Sequence, residues 1–168
     1  MPRLLIAVAV VGLTALPGCR KPVEYTSQQY KFSAVFPGTP KETDQTTAGV
    51  KVKMFAVESR NGMCGVAVSD MPIPAGEPAD VTQGRLDGAR DGAVRNVGGA
   101  LKTSSPVTLG GHPGREFTAT ITSPAAGFLR SRVYLVGTRM YQVVVVGTES
   151  YANSAECTNF LNSLKLLD

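Results

Sequence analysis

The chain has no tryptophan, a single histidine, three cysteines and no run of like charge longer than two. One histidine and a few scattered cysteines supply no metal-ligand spacing, so neither metal nor other cofactor is implied. Basic residues number 17 against 13 acidic, a net charge of +4, with no basic stripe interleaved with aromatics. That pattern argues against a nucleic-acid partner. Glycine (18) and proline (11) are plentiful but aperiodic, which excludes a collagen-like chain, and 43% apolar residues exclude wholesale disorder. A length of 168 residues supports one compact domain.

The longest apolar run is LLIAVAVVGLTAL, residues 4–16, after a single positive charge at Arg3. Thirteen residues fall short of the roughly 20 that span a bilayer, and match the apolar region of a secretory signal. Leu16-Pro17-Gly18-Cys19 follows. This segment resembles the lipobox of bacterial lipoproteins, although Pro17 departs from the residue usual there. The resemblance implies cleavage before Cys19, acylation of its thiol and amino group, and a mature chain of 150 residues. A signal peptide without lipid, or an N-terminal buried helix, is the alternative. Pro17-Gly18 and Arg20-Lys21-Pro22 end the run abruptly, which opposes the helix. Two or more acyl chains anchor stably where one does not. Residues 1–18 are therefore expected to be a signal peptide, residues 19–29 a polar tether, and residues 30–168 one globular domain. The expected place is the periplasm-facing membrane surface. The outer membrane is favoured, because Arg20 is not the aspartate associated with inner-membrane retention.

Removing Cys19 leaves Cys64 and Cys157, 93 positions apart. An exported compartment is usually oxidising, so an even remainder suggests a disulfide; the alternative is two buried thiols.

Residues 30–36 (YKFSAVF) alternate with period two, as a half-buried strand does. Residues 49–57 repeat the pattern after a polar stretch, and Arg60-Asn61-Gly62 signals a hairpin. Residues 63–69 (MCGVAVS) are apolar on both faces and are expected at the centre of a sheet. From 79 to 97 the period becomes helical, with Leu86, Ala89, Ala93 and Val97 on one narrow face and Asp80 as the expected N-cap. Asp91 and Arg95 are spaced for an ion pair. Gly84, Gly88 and Gly92 form an opposite stripe and weaken the helix by about 1 kcal/mol each relative to alanine. Residues 101–109, 115–122, 128–136 and 140–146 read as strands, the last apolar on both faces and so expected to be central, 154–163 as a second helix, and 164–167 as its end or a short edge strand. Connections this short suit hairpins. The expected class is α+β, an antiparallel sheet of about six to seven strands packed with two helices. An all-β barrel with peripheral helices is the alternative.

Tyr30-x-Phe32-x-x-x-Phe36-Pro37, the hairpin Arg132-x-Tyr134-x-Val136 with Tyr141-x-Val143, and the terminal Phe160-Leu161-x-Ser163-Leu164-x-Leu166 resemble the Mog1/PsbP/DcrB-like superfamily. The resemblance spans roughly residues 30–167. It implies a sheet flanked by helices, used for binding or assembly and generally without catalysis. It carries over no ligand residues.

Candidate chemistry is sparse. His112 sits in a glycine-rich turn with no nucleophile or orienting partner nearby in sequence, so it is at most a weak hydrolase or small-ligand candidate. Phe128, Arg130, Arg132 and Tyr134 share a strand face, and Arg139 adjoins them. Guanidinium groups beside aromatics suit a carboxylate, a phosphate or an acidic protein patch; the bland reading is a solvated sheet face. The expectation is a non-catalytic envelope lipoprotein. It contacts the bilayer through Cys19, and an envelope protein or anionic component through Arg130, Arg132, Tyr134 and Arg139.

Overall fold

The computed structural model describes residues 21–168 apart from 48, 75–76 and 123–124. Cys19 and residues 1–18 lie outside the described residues. Strands β1 (Val23–Ser27) and β2 (Phe32–Phe36) are followed by β3 (Lys41–Thr47), β4 (Val50–Glu58) and β5 (Gly62–Asp70). Helix α1 (Ala79–Asn96) leads to β6 (Gly99–Leu109), β7 (His112–Ile121), β8 (Gly127–Val136) and β9 (Arg139–Gly147). Helices α2 (Glu149–Ala152) and α3 (Ala155–Asn162) and the two-residue β10 (Lys165–Leu166) close the chain.

The strands form two open antiparallel sheets. One has seven strands in the order β3-β4-β5-β9-β8-β7-β6, the other three in the order β1-β2-β10. The class is α+β as expected. The barrel alternative is excluded, because the larger sheet ends in free edges at β3 and β6. The two strands read as apolar on both faces, β5 and β9, are indeed adjacent and central.

Packing explains the layers. One face of the large sheet presents Phe55, Val57, Cys64, Val66, Val143 and Val145 to Phe32 and Phe36 of the small sheet and to Cys157, Phe160 and Leu161 of α3. Phe32 meets Phe55 edge-on at 5.1 Å between ring centroids, and Phe36 meets Phe160 at 5.0 Å. Each such fully buried ring contributes roughly 1.5–3 kcal/mol relative to exposure. The opposite face places Phe117, Ala119, Leu129, Val133 and Leu135 under Leu86 and Val94 of α1.

Several expectations are corrected. Residues 23–27, expected within a polar tether, are strand β1, which pairs with β2 from Val23↔Phe36 to Ser27↔Phe32 and packs Tyr25 against Phe55. The polar stretch KETDQTT is strand β3, stabilised by its ladder to β4 and not by any apolar alternation. Asp80 is in the first turn of α1; Pro78 takes the cap position, with no side-chain cap bond. Asp91 bonds Arg90 at 2.8 Å, in place of the expected Arg95 pair. Of the two readings of residues 164–167, the short edge strand is the one formed, as β10 on β2. Among the described residues no helix is long and apolar enough to cross a membrane.

Candidate functional site

Arg130 and Arg132 do share a face of β8, but that face is covered. Arg130 Nη1 donates to the Ala152 carbonyl and to Thr158 Oγ1, both at 3.0 Å. Arg132 Nε donates to Glu116 Oε1 at 2.9 Å, and its Nη1 to the Leu161 carbonyl at 3.1 Å and Asn162 Oδ1 at 2.8 Å. The last carbonyls of a helix lack intrahelical partners and carry partial negative charge. The two guanidinium groups satisfy such carbonyls at the ends of α2 and α3 and hold both helices on the sheet. Tyr134 is buried among core residues. Arg139 lies apart, forked onto Asp70 at 2.7 and 3.2 Å and stacked 5.8 Å from the Tyr30 ring centroid. The expected anionic-partner patch of Arg130, Arg132, Tyr134 and Arg139 is therefore not an open site. The partners of its arginines are internal: a carbonyl and a hydroxyl for Arg130, Glu116 and the end of α3 for Arg132, and Asp70 for Arg139.

His112 opens β7 and lines a shallow hollow of about 460 Å³ with Glu77 and Thr82. Glu77 accepts three bonds from Arg85, at 2.6 to 2.8 Å. His112 bonds neither Glu77 nor Thr82 among the described residues. The hollow thus assembles no relay of base, orienter and nucleophile. Cys64 and Cys157 are brought together: their sulfurs lie 3.6 Å apart, both free and buried.

The large concavity was not legible in the sequence. The small sheet covers the middle strands and stops at the β1–β2 turn. There Lys31 takes a left-handed conformation (φ 54°) and Ser27 Oγ accepts from the Tyr30 N–H at 3.2 Å. Beyond Tyr30 a cleft of about 900 Å³ opens over the β3–β4 hairpin, lined by Asp44, Lys51, Lys53, Val68 and Asp70. Tyr30 is held as its wall by the Phe55 ring, 5.6 Å away, and by the Tyr141 hydroxyl, which donates to its carbonyl at 2.8 Å. Lys53 lies between Glu42 and Asp44, 3.4 Å from each carboxylate. Lys51, on the same face, is exposed and forms no ion pair among the described residues. The bond from Arg139 holds the Asp70 carboxyl below the usual carboxylate range. Glu42 is likewise lowered, chiefly by the hydroxyl of Tyr25 at 2.5 Å, then by Lys53. Burial, reinforced by that same bond, pushes Tyr25 up to about 12.

No protein-family model matches the chain, and no curated protein matches it. Solved structures do. The chain is similar to the solution structure of cyanobacterial PsbP (CyanoP) from Synechocystis sp. PCC 6803, with a TM-score of 0.60 over 93% of this chain and 98% of that one. The fold is PsbP-like. Sequence identity over the match is only 12%, so the likeness concerns architecture. A Pseudomonas aeruginosa protein of unknown function, described as a putative regulator, is also similar at 12% identity, with a TM-score of 0.45 over 82% of this chain and 90% of that one. The PsbP-like layers account for where the cleft lies, since the small sheet leaves the outer hairpin of the large one uncovered.

Proposed function

We propose that this chain is an envelope lipoprotein, acylated at Cys19, whose PsbP-like domain is a non-catalytic binding module. In this reading an extended polar segment of a neighbouring envelope protein enters the cleft beside Tyr30, and an acidic group on it meets Lys51. The observation that carries the reading is the contrast in charge use. Arg85, Arg90, Arg130, Arg132 and Arg139 all bond internal partners, whereas Lys51, which lines the cleft together with Val68, forms no ion pair among the described residues. The start of β1 supports close anchoring. Val23 follows Cys19 by four residues, a reach of about 14 Å when extended. The domain would then rest near the headgroups, with Lys21 and Lys41 at its anchored end. The outer membrane is the proposed site, from Arg20 after the acylated cysteine.

Two measurements in the native envelope test this. Metabolic palmitate labelling is expected on the wild type and absent from Cys19→Ser, which should leave the membrane fraction. A photo-crosslinker at position 46, opposite Lys51 in the cleft lining, is expected to capture one protein reproducibly, through an acidic segment. The same group at exposed Gly84 should not. Lys51→Glu should reduce the yield from position 46 about tenfold or more by setting a like charge against that segment. An unacylated chain in the soluble fraction would overturn the anchor. Equal capture from positions 46 and 84 would overturn the cleft.

A further inference from the structure

We infer that Cys64 and Cys157 form a disulfide that bolts helix α3 to the centre of the seven-stranded sheet. Cys64 sits mid-strand in β5, opposite Val57 of β4 and Val145 of β9. Cys157 is in the first turn of α3, where the Ser154 cap accepts from its backbone N–H at 3.2 Å. Both side chains have 0% exposure, and their sulfurs are 3.6 Å apart. A disulfide needs about 2.05 Å, so closure draws the sulfurs together by about 1.5 Å. Tyr151 of α2 brackets the pair, its hydroxyl 3.3 Å from Cys64 Sγ. The segment enclosed by the link runs from β5 to α3 and includes α1 and strands β6 to β9. One bond therefore joins the two ends of most of the domain.

The chemistry is an exchange with an external disulfide. Cys157 lies in the first turn of α3 beside the Ser154 cap, and a helix N-terminus favours the thiolate, so it is the attacking group. Cys157 loses its proton to solvent, and its thiolate attacks one sulfur of R–S–S–R, forming a mixed disulfide and releasing one thiolate. Cys64, losing its proton to solvent or to that thiolate, then attacks the Cys157 sulfur and releases the second. The two protein thiols are oxidised, the external disulfide is reduced to two thiols, and both protons are accounted for. Neither sulfur is exposed, so the exchange takes place before α3 docks or while it is lifted.

The pairing is tested independently of the lipid anchor, in the full chain carrying Cys19→Ser. The unfolded, reduced protein is refolded in a buffer of oxidised and reduced glutathione, alkylated, and examined by intact mass and peptide mapping. The expected product is lighter than the reduced chain by two hydrogen atoms, contains one linked Cys64–Cys157 peptide, and carries no glutathione. Its melting temperature should exceed that of the reduced chain by roughly 5 °C or more. Cys157→Ala and Cys64→Ala should show no such difference between oxidising and reducing buffer, whatever their own stability. Two alkylated cysteines after oxidative refolding, or a persistent glutathione adduct on either, would overturn the inference.

Discussion

Arg132 shows how one side chain acquires its role from its surroundings. Its three partners come from β7, the end of α3 and the residue beside it. Arg132→Ala leaves the Leu161 carbonyl short of a donor and Glu116 without its cation. The expected loss is about 1–3 kcal/mol in urea unfolding, with α3 loosened first. Arg132→Lys should recover only part of it, since an ammonium group cannot reproduce the planar fork. A spacing of two along β8 was enough to place Arg130 and Arg132 on one face. It carried no information about what would lie on that face, because α2 and α3 arrive from the far end of the chain.

At the scale of elements, α1 is held by packing more than by propensity. Its cap residue makes no side-chain bond, and three glycines interrupt it. A side chain added at Gly84, Gly88 or Gly92 would meet nothing within 4 Å. The stripe therefore borders open space among the described residues. Converting all three to alanine should therefore stabilise the domain by up to about 2–3 kcal/mol, measured by denaturant unfolding. No change, or a loss, would indicate that a close neighbour needs the bare backbone. The helix was legible because its apolar face repeats at three and four residues. Strand β3 was not, because KETDQTT has no apolar alternation and becomes a strand only by pairing with β4.

Across the whole molecule, the two sheets are joined by apolar layers and by polar clamps at their margin. Arg139 is one clamp, bonded to Asp70 at the end of β5 and stacked on Tyr30 of the small sheet's turn. The Tyr25–Glu42 bond is another, linking β1 to β3. Asp70 and Glu42 both have folded-state carboxyls below their ordinary values. The unfolded chain therefore binds protons more readily than the folded one at acid pH. The contribution is fully present above about pH 4–5, where the unfolded carboxyls are ionised, and is lost as pH falls through the lower folded values. Asp70→Asn should flatten the acid limb of a stability–pH curve while leaving its slope near neutrality unchanged. Both carboxylates are solvent-accessible, so the effect should be small and weaker at high salt.

The sequence by itself determined the period of most elements, the single-domain scale, the α+β class and the central place of β5 and β9. Those follow from local alternation and from short connections that permit little except hairpins. Only the tertiary structure decided that the strands divide into two sheets, that the cleft lies beyond Tyr30, and that Arg130 and Arg132 face helix ends. It also brought Cys64 and Cys157 into contact from 93 positions apart. Such outcomes depend on which surfaces meet across the fold, and a periodic pattern specifies that a face is buried without specifying what buries it.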